Sequence, residues 1–227
     1  MKRYPNYKDS GVEWLGEIPE HWQVMPAFSV FKEQCLRNKN LVEKNLLSLS
    51  YGRIIKKDFE SNYGLLPESF ETYQIVNPGN IILRLTDLQN DKKSLRVGIV
   101  KEKGIITSAY LCLNTQHIYA QYAYKLLHNY DILKVFYNMG SGIRQNMNFK
   151  DLKRLPILVP PPEEQKAIAH FLDHKLEQIE QYIRNKQRLI ELLNEQKTAI
   201  INRAVTKGIN PNVPMKHSGI EWLGEIP

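Results

Sequence analysis

Cysteine is almost missing from this chain of 227 residues; Cys35 and Cys112 are the two it has. They lack metal-ligand spacing and are too few for a disulfide framework, so a reduced, cytoplasmic setting is expected. No apolar run reaches the ~20 residues of a membrane-spanning helix. The start, Met1-Lys2-Arg3-Tyr4-Pro5, lacks the apolar stretch of a signal peptide. The usual catalytic signatures are lacking too. There is no phosphate-binding loop ending in Gly-Lys-Ser/Thr, and Gly140-Ser141-Gly142 has no third glycine to complete a dinucleotide fingerprint. Asn77-Pro78-Gly79 is a turn signal and not the Asn-Pro-Pro-aromatic motif of an amino-methyltransferase. His170 and His174 stand four apart, but no Glu follows the first His as in a zinc-protease helix. These absences leave no catalytic constellation and no metal site, and point to a binding protein.

What is present is positive charge, unevenly spread. Residues 1–162 hold 22 Lys+Arg against 15 Asp+Glu, whereas residues 163–227 hold 9 of each. A basic globular part beside a neutral remainder suggests a polyanion partner for the first part alone. Three polar segments there carry suitable side chains. One is Tyr51 and Arg53 with Lys56 and Lys57. The second runs from Arg84 to Arg96 through Thr86, Gln89, Asn90, Lys92 and Lys93. The third runs from Gly140 to Asn148 and holds Ser141, Arg144, Gln145, Asn146 and Asn148. Arg, Asn and Gln read base edges by paired hydrogen bonds, while Lys and Ser hold phosphates. These residues are the DNA-contact candidates.

The fold class expected is α+β, a mixed globular domain over residues 1–162 followed by a long coiled-coil helix over 163–207. Strand-like apolar runs lie at Leu46–Tyr51, Thr72–Val76, Ile81–Leu85, Val97–Val100, Ile105–Leu113 and Arg154–Val159, with a short helix over Phe28–Gln34 and a longer one over Ile118–Met139. Pro160-Pro161-Pro162 then stops the last strand, and Glu163 and Glu164 fall in a first helical turn, where the helix dipole favours carboxylates. No Pro or Gly follows until Gly208. Leu172, Leu176, Ile179, Ile183, Ile190, Leu193 and Ile200, with Lys186 and Lys197 between them, form an a/d heptad seam. A rod of roughly 60 Å with so narrow a stripe cannot bury it on itself and needs another helix. The two seam lysines would set pairing register or mark a contact with another subunit.

The chain also repeats itself. Residues 7–19 (YKDSGVEWLGEIP) and 215–227 (MKHSGIEWLGEIP) agree at all but three positions. The period is far too long for a solenoid. One module of about two hundred residues is followed by the first residues of a second, so 208–227 is expected to be a linker and a stub.

The Gly-Val-Glu-Trp-Leu-Gly-Glu-Ile-Pro-Glu-His-Trp segment at 11–22, the Arg154-to-Gln165 run through the three prolines, and the turns at 76–82 and 140–145 resemble the DNA-specificity subunit of a type I restriction–modification system, or one half of it. The resemblance implies one target-recognition domain of the two in a full subunit, each reading half of a split DNA site, with a long helix acting as ruler. It implies double-stranded DNA and methyltransferase subunits as partners, and an endonuclease subunit where the system has one. It implies no cofactor in this chain, S-adenosylmethionine being carried by the methyltransferase, and no catalysis by the chain itself. Two copies pairing their seams antiparallel would rebuild the ruler as a homodimer. Two alternatives stay open: a truncated, inactive remnant of a two-domain subunit, and a coiled-coil assembly module whose basic domain binds protein.

Overall fold

The computed structural model describes residues 4–57, 69–88, 91, 93–139 and 146–227. Internal contacts divide the chain into residues 1–170 and 171–227. The first unit opens with a hairpin of β1 (Tyr7–Asp9) and β2 (Glu17–Pro19). β3 (Gln23–Pro26) leads into a single helical turn, α1 (Ala27–Val30), and then β4 (Phe31–Glu33). The helix expected over Phe28–Gln34 thus stops at Val30, and Phe31–Glu33 is strand. Phe31 is buried and pairs with Thr115, so sheet hydrogen bonds and core burial override local helix preference. β5 (Leu36–Arg37) follows, then the hairpin of β6 (Leu47–Ser50) and β7 (Arg53–Lys56).

The centre is built from β8 (Gln74–Val76), β9 (Ile81–Leu83), β10 (Val97–Ile99), β11 (Gly104–Ile106) and β12 (Leu111–Thr115). β10, β9, β12 and β4 form one antiparallel sheet; β11, β8 and β5 form another. The Asn77–Asn80 turn carries the chain from one sheet to the other, with Asn80 Oδ1 accepting from Asn77 N–H at 2.8 Å and Gly79 at φ 91°. The expected single run Ile105–Leu113 is two strands. Gln74, buried, donates through Nε2 to the Thr107 and Tyr110 carbonyls at 3.1 and 2.6 Å and holds the corner between them.

Alternation along a strand sends side chains to opposite faces. Ile81, Leu83, Leu111 and Leu113 face the main core, while Ile82 and Cys112 face a second core with Leu47, Leu49 and Val76. With both faces covered, these strands read as continuous apolar runs. The main core is closed by α2 (Ala120–Ile132) through Tyr122, Ala123, Leu127 and Tyr130. The helix expected to reach Met139 breaks at Lys134 (φ 61°) and continues as a 3-10 turn over Val135–Asn138. α3 (Phe149–Leu152) and β13 (Pro156–Val159) complete the unit, with β13 antiparallel to β3.

α4 (Pro162–Lys207) begins inside this first unit, where Gln165 and Ala169 are buried. The residues after the prolines bind it there. Gln165 donates through Nε2 to Pro160 O at 2.8 Å and accepts through Oε1 from Tyr119 N–H at 2.7 Å, at the start of α2. The Glu164 carboxylate takes hydrogen bonds from Tyr4 Oη (2.8 Å), Trp22 Nε1 (3.0 Å) and His21 Nε2 (2.6 Å). Burial alone would raise its pKa, but those three donors and the charge of His21 outweigh it and hold the carboxyl below its ordinary 4.5. A depressed carboxylate stabilises the fold above its unfolded pKa and loses that contribution as pH falls through the folded value. With Trp14 and Trp222 changed to Phe, Trp22 fluorescence should therefore change on acidification below about pH 4.5. Glu164→Gln should abolish that transition; an unaltered one would show that another group drives it.

In residues 171–227, α4 runs on to Lys207 and ends before Gly208 (φ 74°), a left-handed C-terminal position that glycine tolerates. The repeated segment folds as it does at the start of the chain. β14 (Lys216–His217) and β15 (Glu225–Ile226) pair, and the Ser218 N–H to Gly224 O bond of 3.0 Å matches that of Ser10 to Gly16. Trp14 packs edge-on against Tyr130 at 6.3 Å, whereas Trp222 is 84% exposed. The hairpin geometry is therefore local to its sequence, and docking of its tryptophan is not. Among the described residues no helix is long and apolar enough to cross a membrane.

Candidate nucleic-acid interface

The described parts of three segments far apart in sequence are joined by hydrogen bonds in the first unit. The β6–β7 hairpin turns at Tyr51 and Gly52, at φ 45° and 76°, the left-handed pair of a type I′ turn. Glycine is needed at 52, since a Cβ there would stand 3.1 Å from Leu95 Cβ and 3.3 Å from His128 Cε1. Gly52 N–H donates to Leu95 O at 3.1 Å, and Tyr124 Oη donates to Gly52 O at 3.3 Å. The turn is thus clamped to the second segment and to α2. Tyr51 sits on top, 78% exposed, in a backbone conformation that bulky residues avoid.

The second segment, 84–96, is joined to the third. Asp87 N–H donates to Asn146 Oδ1 at 2.7 Å, and Met147 N–H donates to Leu85 O at 2.9 Å. Asn148 caps α3 in a reciprocal box with Asp151, accepting from Lys150 N–H at 2.8 Å. Asn146 and Asn148 therefore commit their side-chain oxygens to the scaffold. Each oxygen has one of its two acceptor sites committed in this way.

Arg96 requires a larger correction. Expected to contact DNA, it is fully buried. Its Nε donates to Tyr137 Oη at 3.0 Å, Nη1 to the carbonyls of Arg84 and Thr86 at 3.1 and 2.7 Å, and Nη2 to the carbonyls of Asp87 (3.1 Å) and Asp91. All five N–H groups of the fork are used, so none is left for a base or phosphate. Its own N–H donates to Asp131 Oδ2 at 2.6 Å. Burial raises the Asp131 pKa, opposed by that N–H and by the charges of Lys134 and Arg96. The Asp91 carboxyl is held down to about 2, first by the Ser94 hydroxyl, then by the Ser94 N–H, against burial.

The remaining candidates divide by environment. Arg53, Lys56, Lys57 and Lys93 are exposed, and Lys56 Nζ lies 2.9 Å from Glu102. Arg84 and Thr86 are half-buried, Arg84 lying 3.7 Å from Asp91. Gln89, Asn90, Lys92, Ser141, Arg144 and Gln145 lie outside the described residues. Sequence reading missed Asp131, Tyr137, Glu164 and Gln165, which do their work across 35 to 160 residues of chain. No spacing rule links such partners.

Comparison with known proteins follows this architecture. Over 230 residues the chain is 25% identical to a putative type I restriction enzyme MjaX specificity subunit of Methanocaldococcus jannaschii, covering 94% of this chain and 51% of that one. The crystal structure of the HsdS subunit from Thermoanaerobacter tengcongensis superposes with a TM-score of 0.55 at 15% identity, covering 89% of this chain and 48% of that one. A chain from a structure on complex assembly and conformational transition of the type I R-M system gives 0.54 at 17%, covering 82% and 46%. The chain thus spans about half the length of the relatives it matches. Residues 19–192 match the family model of the type I restriction modification DNA specificity domain, and this chain belongs to that family.

Proposed function

We propose that the chain is a non-catalytic, sequence-reading half of the specificity subunit of a type I restriction–modification complex. The carrying observation is that the described parts of three polar segments are joined by hydrogen bonds, with Tyr51 and Arg53 exposed at a clamped turn. In this reading double-stranded DNA lies against these segments, exposed Arg53, Lys56, Lys57 and Lys93 face phosphates, and Tyr51 offers its ring to the base stack. Methyltransferase subunits carry S-adenosylmethionine and the chemistry, in the cytoplasm, with an endonuclease subunit where the system has one. The seam of α4, exposed from Leu176 to Ile200, pairs antiparallel with a second copy, giving a two-fold reader of a split target.

Methylation-sensitive sequencing of cells expressing the chain with its methyltransferase tests this. A symmetric, interrupted adenine motif is expected. An asymmetric motif would replace the homodimer with a pair of unlike halves, and no motif beside an active methyltransferase would favour an inactive remnant. Binding to duplex DNA should also weaken steeply with salt as counterions are released; a flat response would favour a protein partner. Tyr51→Asn separates binding from folding. Asparagine tolerates the left-handed backbone, so the melting temperature should not fall. Duplex affinity should drop on the order of tenfold if the ring stacks; unchanged affinity removes Tyr51 from the interface.

A further inference from the structure

We propose that Arg96 is the positioning residue for base recognition, fixing the main chain of residues 84–88 and of Asp91 so that the side chains on that held backbone set sequence preference. This rests on the DNA-reading function proposed above. Four of the groups that accept from the guanidinium are backbone carbonyls, of Arg84, Thr86, Asp87 and Asp91; the fifth is the Tyr137 hydroxyl. Carbonyls are present whatever side chain a residue carries. The path of that backbone is therefore independent of the side chains at 85, 86 and 88, apart from their fit to the core.

The anchor is itself fixed from several directions. Tyr137 Oη accepts from Arg96 Nε, donates to Asp91 O at 3.2 Å, and lies 3.4 Å from Lys134 Nζ. Asp131, on α2, holds the Arg96 backbone at 2.6 Å. The Asp91 carboxylate stands 3.8 Å from Arg96 Nη2 and 3.7 Å from Arg84 Nη1, and receives the Ser94 N–H at 2.9 Å. On the far side, Asn146 and Met147 tie Asp87 and Leu85 to the third segment. Residues 84–88 and Asp91, so held, lose little conformational freedom on meeting a duplex, which favours discrimination by their side chains. Phosphate attraction belongs to other residues, the exposed Arg53, Lys56 and Lys57 of the neighbouring hairpin.

The test is selection of duplexes from a randomised pool by the full chain, compared with Arg96→Lys and Tyr137→Phe. Lysine keeps the charge but brings three donors from one nitrogen, too few and too closely placed for four separate carbonyls. For Arg96→Lys, the affinity ratio between selected and random duplex should fall at least tenfold. Random-duplex affinity and its salt slope should stay within about twofold of the parent. Tyr137→Phe removes one contact from the same network and should lower that ratio about threefold with little change in melting temperature. If Arg96→Lys fails to fold, Tyr137→Phe decides alone. Full discrimination by the folded variants overturns the proposal, as does loss of random and selected binding in equal proportion, which would mark Arg96 as merely structural. A parent chain that enriches no sequence overturns the DNA reading, and this proposal with it.

Discussion

If two copies pair through α4 as proposed, Leu193→Asp is expected to leave the chain monomeric while the melting of its first unit stays unchanged. Leu193 lies in the stripe formed by Leu176, Ile179, Ile183, Ile190 and Ile200, all exposed on α4. A lone helix has no means of covering such a stripe, and a second helix of the same kind does so by interdigitating at a and d positions. In a two-fold pair the substitution enters twice and places each carboxylate in an apolar layer. Burying an unpaired charge costs several kcal/mol; association should weaken by at least about 100-fold. Sedimentation equilibrium reads this directly. Thr198→Asp, on an outer position of the same heptads, is the control and should associate like the parent. A Leu193→Asp chain that still sediments as a dimer would remove this stripe from the interface.

Gly104→Ala should have the largest effect on stability. A Cβ at this position would stand 2.5 Å from the Asn45 carbonyl oxygen and 2.7 Å from Leu47 Cδ1. The leucine can turn aside, but the backbone oxygen is held, since it accepts from Ile105 N–H at 2.8 Å. Relief of the clash therefore breaks that bond and parts β11 from the strand carrying Leu46 and Leu47, where Leu46 and Ile105 form a parallel bridge. Overpacking of this kind costs about 3 kcal/mol, a fall of roughly 10 °C in melting temperature for a domain of this size. The β6–β7 hairpin that presents Tyr51 hangs from this join, so duplex binding should decline with it. Gly11→Ala is the contrast. Its φ of +70° is also unfavourable for alanine, but nothing lies within 4 Å of the added carbon, and the cost should be about 1 kcal/mol. Equal losses at the two glycines would show that the close approach at Gly104 relaxes at little cost.

Much of the fold was legible wherever the determining interactions are local. α4 is set by a heptad stripe, carboxylates in its first turn and the lack of Pro and Gly until 208. The Asn77–Asn80 turn and the repeated hairpins are set by short-range hydrogen bonds. Strand positions followed from apolar runs, but strand partners did not. Ile105 and Leu111 belong to one run and to different sheets, because each pairs with a strand some thirty residues upstream. Phe31 shows the same limit, its helical surroundings losing to an edge of β12.

At the candidate interface, residue type marked three polar segments and could not tell the buried Arg96 from an exposed arginine. An Arg, an Asn or a Lys in a polar loop looks alike in sequence whether it faces solvent or a buried carbonyl. Composition determined that the first 162 residues are basic and the remainder neutral, and periodicity determined a long helix with a stripe in need of a partner. Only the tertiary structure decided that the described parts of the candidate segments are joined, that Tyr51 is exposed, and that Arg96 turns inward. Periodicity and capping act over one or two helical turns and are written in neighbouring residues. The orientation of Arg96 is decided by Tyr137 and Asp131, which lie 41 and 35 residues away and meet it only after the sheet and α2 have packed.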